Sequence, residues 1–326
     1  TFIDSAFYFL VHNDLVNEVI SAEMLAVTNN DTASFLGNRR GITSSGTTVP
    51  TLATDVSNGQ FRVRATGTSA DCKASFYKVA MSSSTTDATR GNTVTTSNTD
   101  VDSASESIDT FAHASFRGAK YFISVDNDSK TEMDVVEALV VHNGSDAFIL
   151  AYGNNTSGSN PLITLTAAIS GDNVVVSAAG LQTNLRIHMY RILLADNPSA
   201  TTGTNVNVIS GTTVSSSATT IDTFSTNSYG AAHYIIVGSK SNDSCIMEAT
   251  VISDGTEASI SEGPQVSTEE TPMLTLSASH SSTTTTVQAA STSGASTNVS
   301  AYRINIPTPA GTQFTEIDSF AHNSTQ

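Results

Sequence analysis

The sequence predicts an all-β protein of three tandem antiparallel repeats, and three observations carry that prediction. One strand-like segment recurs three times, a proline stands before a strand at equal intervals, and the composition lacks the residues that build long helices.

The recurring segment is Ala6-Phe7-Tyr8-Phe9-Leu10-Val11, then Ala119-Lys120-Tyr121-Phe122-Ile123-Ser124, then Ala232-His233-Tyr234-Ile235-Ile236-Val237. Each opens an aromatic and β-branched run of strand length. The next block repeats as well: Glu23 to Asn29, Glu137 to Asn143 and Glu248 to Asp254. In each a strand runs into a polar turn, and Asn143-Gly144 and Asp254-Gly255 supply hairpin chemistry.

The prolines are Pro50, Pro161 and Pro272, spaced by 111 residues. Proline fits the start of a strand because that position need not donate to the ladder. In the middle copy the hairpin that follows has Leu162-Ile163-Thr164-Leu165 and Val174-Val175-Val176 flanking Ser170-Gly171-Asp172-Asn173. In the first copy the hairpin turns at Asn58-Gly59, whereas the third replaces the glycine turn with Ser and Thr. Every copy closes on a tyrosine and a base: Tyr77-Lys78, Tyr190-Arg191 and Tyr302-Arg303.

Serine and threonine run through the chain in strings such as Thr283-Thr284-Thr285-Thr286, while Lys, Arg, Leu and Glu are sparse. Short strands with regular turn signals and no helical period predict an antiparallel sandwich in each repeat, immunoglobulin-like or jelly-roll-like. The repeats span 1–81, 108–196 and 221–306, and the first lacks its first strand. Residues 82–107 and 197–220, rich in Ser and Thr, read as linkers or edge strands. Residues 307–326 read as a linker plus the first strand of a fourth repeat, or a donated strand.

The formal net charge of −16 repels phosphate backbones, and no basic patch offsets it, which argues against a nucleic-acid partner. No run of 18 or more apolar residues predicts membrane insertion, and the chain opens on Thr1-Phe2-Ile3-Asp4 without a signal-like segment. Cys72 and Cys245 occupy non-equivalent places in their repeats and read as free thiols.

The ends are out of phase with the repeats. The second and third copies open on Ile108-Asp109-Thr110-Phe111 and Ile221-Asp222-Thr223-Phe224, and the same word returns as Ile317-Asp318-Ser319-Phe320-Ala321-His322. Two expectations follow: a piece of a longer array, or a C-terminal assembly strand that completes the first repeat of the next subunit. Head-to-tail donation of that kind builds a filament.

The repeated acid and the repeated base are 55, 54 and 55 residues apart, which predicts three structural ion pairs: Glu23 with Lys78, Glu137 with Arg191, and Glu248 with Arg303. Asp126-Asn127-Asp128-Ser129-Lys130-Thr131-Glu132 has alternating oxygen side chains like half of a calcium loop, with Asp126, Asp128 and Asp134 as candidate ligands. Lys130 stands at a ligand position and the turn glycine is absent, so solvated loop acids are the favoured reading and calcium is the cofactor to test. No nucleophile elbow, phosphate loop, dinucleotide fingerprint or zinc spacing occurs, so no catalytic residue and no other cofactor is predicted.

Read together, Ala119-Lys120-Tyr121, Glu137 to Gly144, Ala151-Tyr152-Gly153, Ile169 to Val174 and Tyr190-Arg191 resemble the β-sandwich repeats of virion structural proteins from marine tailed phages, including cyanophages. The resemblance is good over 108–195, weaker over 1–81 and partial over 221–306. It implies a non-enzymatic role in a fibre, appendage or decoration on a virion surface, with the chain itself and neighbouring virion proteins as partners. An extracellular, pilus-like filament subunit is the first alternative. A carbohydrate-binding adhesin, with surface glycans as partners, is the second.

Overall fold

The computed structural model describes residues 3–13, 19–28, 33–42, 51–57, 60–66, 73–82, 97–127, 131–196, 198, 201–202, 206–241, 243–269, 271–307 and 315–317. The protein is all-β, with several antiparallel sheets and no helix among the described residues, hence none long and apolar enough to cross a membrane.

The first repeat contributes β1 (Ile3–Asn13), β2 (Val19–Thr28), β3 (Ala33–Ile42), β4 (Thr51–Ser57), β5 (Gln60–Thr66) and β6 (Lys73–Ser82). There follow β7 (Ser97–Val101), β8 (Glu106–Ala112), β9 (Gly118–Asn127), β10 (Met133–His142), β11 (Ala147–Thr156), β12 (Ile163–Ser170), β13 (Asn173–Gly180) and β14 (Leu185–Leu194). The remainder is β15 (Thr201–Thr202), β16 (Val206–Val214), β17 (Thr219–Ser225), β18 (Tyr229–Lys240), β19 (Asp243–Ser253), β20 (Ala258–Ser267), β21 (Leu274–Ser281), β22 (Thr284–Ser291), β23 (Thr297–Pro307) and β24 (Thr315–Ile317).

Three large sheets share one strand order: β24-β6-β1-β2-β3, β7-β14-β9-β10-β11, and β16-β23-β18-β19-β20 with β15 outside β16. Three small sheets accompany them: β4-β5, β12-β13-β8 and β21-β22-β17. The stretches between the sequence repeats hold β7 and β16, which lie on the outer sides of β14 and β23. Thr315–Ile317 lie beside β6 of the same chain, in parallel. Asp318 to His322, the rest of the anticipated assembly strand, lie outside the described residues, as does Cys72.

The turn chemistry follows the sequence. Asn143 Oδ1 accepts the Ser145 and Asp146 amides, Asp254 Oδ1 accepts those of Thr256 and Glu257, and Gly144 and Gly255 take φ of 96° and 89°. Gly171 makes the β12–β13 turn at φ 57°, and Ser282 takes φ 59° at the β21–β22 turn, where the glycine has been lost.

The central strands β9 and β10 are buried along almost their whole length on both faces, as are β18 and β19. Successive side chains on a strand point to opposite faces, so each face has its own core. Tyr121, Ile123 and Val125 pack with Ile108, Phe111, Val174 and Val176 of the neighbouring small sheet. Tyr234 and Ile236 pack likewise with Ile221, Phe224 and Val287. The alternate residues form a different core, in which Phe7, Phe9 and Leu25 of the first repeat meet Phe122, Leu139 and Ile192 of the middle one and Ile235, Val237 and Ile304 of the third. That shared core joins the repeats, with the Phe7 and Phe122 ring centroids 4.6 Å apart.

Candidate functional site: a buried charged junction between the repeats

The constellation of ionisable groups that spans the repeats sits inside this shared core. The segment that recurs at the start of β1, β9 and β18 places Phe7, Lys120 and His233 at one repeat position, and β2, β10 and β19 add Glu23, Glu137 and Glu248. Phe9, Phe122 and Ile235 lie opposite Glu23, Glu137 and Glu248 in register, so the glutamates share the face of the inter-repeat core.

Exposures are 0% for Lys120, 1% for His233 and Glu248, 3% for Glu137 and 6% for Glu23. Unpaired charge at such depth is costly, so the pairing decides whether the arrangement holds. The Lys120 ammonium bonds Glu137 within its own repeat and Glu248 of the third repeat. It also bonds the Tyr152 hydroxyl, and its Nζ lies 4.5 Å from the centre of that ring. Tyr152 in turn donates to Glu248 Oε1 at 2.6 Å. On the other side His233 Nδ1 is 3.1 Å from Glu23 Oε1 of the first repeat, with Thr250 Oγ1 3.1 Å from the same nitrogen and donating to Glu23 Oε1 at 3.3 Å. The His233 ring stacks on Phe9 at 4.3 Å.

Burial pushes the Glu137 carboxyl up, Lys120 partly offsets that, and Glu248 and Glu23 add to it, leaving Glu137 at about 7. Burial opposes the charge on Lys120, yet Glu137 and Glu248 more than offset it and hold the ammonium above the ordinary lysine range. Burial and the nearby Glu248 and Glu137 carboxylates raise the Tyr152 hydroxyl well above its usual value, which keeps it a donor.

A backbone irregularity aims Tyr152. The β10–β11 ladder shifts register between Val135 and Glu137, and Gly153 takes φ 62° beside Tyr152. A Cβ at Gly153 would stand 3.3 Å from Glu137 Oε1 and from Leu25 Cδ2 of the first repeat, so glycine suits both the positive φ and the close approach.

Of the predicted ion pairs, Glu137 with Arg191 and Glu248 with Arg303 are not formed as expected. Arg191 bonds Asp109, at 2.6 and 2.8 Å, and Arg303 bonds Asp222 at 2.5 Å. Register is the reason: Tyr190 lies opposite Phe122 and Tyr302 opposite Ile235, so the next residue, Arg191 or Arg303, falls on the other face from Glu137 or Glu248. Lys78 is likewise matched with Tyr8, while Phe9 is matched with Tyr77, and the Lys78 side chain lies outside the described residues. The acids that receive the arginines, Asp109 and Asp222, also accept the Tyr121 and Tyr234 hydroxyls at 2.7 and 2.8 Å. Burial and the adjoining aspartate push both tyrosines well above their ordinary range.

Two of the calcium candidates, Asp126 and Asp134, are not gathered either. Asp126 lies opposite Met133 while Asp134 lies opposite Val125, which sets the two carboxylates on opposite faces. Asp126 bonds Arg186 at 2.9 Å with His188 at 3.3 Å; Asp134 accepts the Asn154 amide at 2.8 Å and the Leu162 backbone N–H at 3.0 Å. Asp128 lies outside the described residues. Cys245 is a free, buried thiol pushed up to about 12 by burial.

Lys120 and His233 went unrecognised in the sequence as site residues, although a signal was present: one position of an apolar repeated strand carries Phe, Lys and His in turn. Glu23, His233 and Glu248 bring ligand-capable atoms within 4.8 Å of one another, and Lys120 already binds Glu248. No protein-family model matches the chain, and no curated protein matches it.

Proposed function

We propose that the chain is a non-enzymatic, self-assembling surface protein of three β-sandwich repeats, serving as a fibre, appendage or decoration of a phage virion. The supporting observation is the junction itself. Its acids, amine and imidazole are enclosed by three repeats and bond one another across the repeat boundaries, as an arrangement that fastens modules does. None of these five residues is more than 6% exposed.

Antibody labelling of source particles in the electron microscope tests the reading. A fixed number of copies on each virion is the expected result, and a continuous homopolymer free of capsids would replace it with an extracellular filament. The filament reading has one specific support: among the described residues the first repeat pairs two small-sheet strands, β4 and β5, where the others pair three.

A further inference from the structure

The two three-stranded small sheets end on the same kind of strand. β8 carries Ile108-Asp109-Thr110-Phe111 and β17 carries Ile221-Asp222-Thr223-Phe224; in both, the isoleucine and phenylalanine are buried in the core beneath. The aspartate reaches across that core to a tyrosine hydroxyl and an arginine, Tyr121 with Arg191 and Tyr234 with Arg303. Those partners face each other in register on adjacent strands of the large sheet.

The first repeat has the receiving half of this arrangement. Tyr8 and Lys78 face each other in register on β1 and β6. Tyr8, Met24 and Ala26 form a buried cluster against which Val63 of β5 packs. Counted through Leu52, Ile163 and Leu274 and their partners across each hairpin, Val63 holds the place of Ala178 and Ala289, and Phe61 that of Val176 and Val287. In the other repeats the aspartates lie opposite Val176 and Val287. Among the described residues, β5 pairs with β4 alone.

We propose that the outer side of β5 is a strand-binding site whose ligand is the chain's own Ile317-Asp318-Ser319-Phe320, laid antiparallel with Asp318 opposite Phe61. An unpaired sheet edge supplies main-chain donors and acceptors, and the pockets for alternate side chains select the word. The same-chain source is argued from position: β23 packs beside β6, and Thr315–Ile317 already run along the outer side of β6. Docking of the word transfers Ile317 from β6 to β5. The site goes beyond the virion reading, because it closes the first repeat whether the assembly is a virion part or a filament.

Cross-strand disulfide trapping tests it on the full chain. Ser319 stands where Thr110 stands in the middle repeat, opposite the counterpart of Gln60, so Gln60→Cys with Ser319→Cys is made in a Cys72→Ser background. The control pair is Thr110→Cys with Val175→Cys, neighbours in the observed ladder. The expected result is a disulfide within one chain, as complete as in the control, with Asp318→Asn slowing its formation several-fold. Disulfide-linked dimers or polymers would overturn the same-chain source, and absence of the bond while the control forms would overturn the site. Equal rates with and without the Asp318→Asn substitution would overturn the role of the carboxylate. None of these outcomes depends on where electron microscopy finds the protein.

Discussion

Lys120 of the middle repeat and Glu248 of the third form an ion pair in which both side chains are almost wholly withdrawn from solvent. The same ammonium holds Glu137, so one cation serves acids of two repeats. Replacing Lys120 with methionine leaves those carboxylates buried without their cation and is expected to cost about 3–5 kcal/mol. Urea unfolding measures it. Adding Glu137→Gln and Glu248→Gln to the same chain should recover much of the loss, because neutral amides cost far less to bury.

The junction makes stability depend on pH in a defined direction. Glu137 titrates at about 7 in the folded protein against a reference of 4.5, so its contribution is complete below about pH 4.5 and is lost as pH rises through about 7. Within that window the slope attributable to Glu137 approaches about 1 kcal/mol per pH unit. His142, lowered by burial, acts in the opposite sense in part of the range, so the quantity to read is the difference between wild type and Glu137→Gln in thermal melts from pH 4.5 to 8. A difference that does not change with pH would refute the assignment.

Asp109 and Arg191 should be energetically coupled, and Glu137 and Arg191 should not. A double-mutant cycle on the first pair is expected to give about 1–3 kcal/mol and one on the second about zero, since the sheet separates the latter two. Denaturant midpoints of the single and double variants decide between them.

Gly153→Ala combines a left-handed backbone with crowding against Glu137 and Leu25. A loss of about 1–3 kcal/mol is expected, with the melting temperature as readout. Gly144→Ala, at φ 96° with no atom within 4 Å of the new methyl, measures a backbone cost without crowding.

Millimolar calcium should leave the melting temperature unchanged. Asp126 is engaged by Arg186, Asp134 caps the Leu162 amide, and the intervening sheet keeps the two apart. A calcium-dependent rise abolished by Asp126→Asn would reverse this conclusion.

Much of the fold was legible locally. Asn143-Gly144 and Asp254-Gly255 make the turns their chemistry dictates, and β12 follows Pro161 as β21 follows Pro272. The repeated Glu was visible as a repeated position, but the partners of Glu137 and Glu248 were misassigned, because constant separation along the chain carries no information about which face a residue occupies. A shift of one residue in register sends a side chain to the opposite side of a sheet, and Tyr190 rather than Arg191 meets Phe122.

The sequence by itself determined that the chain is all-β and that its strand, turn and proline pattern recurs three times, since these follow from local sterics and spacing. Only the tertiary structure decided that the alternate faces of β1, β9 and β18 meet in one core, and that Lys120 and His233 there engage acids from other repeats. The physical reason is that a strand buried on both faces shows no polar alternation, so the sequence cannot tell which face belongs to its own repeat and which to a neighbour.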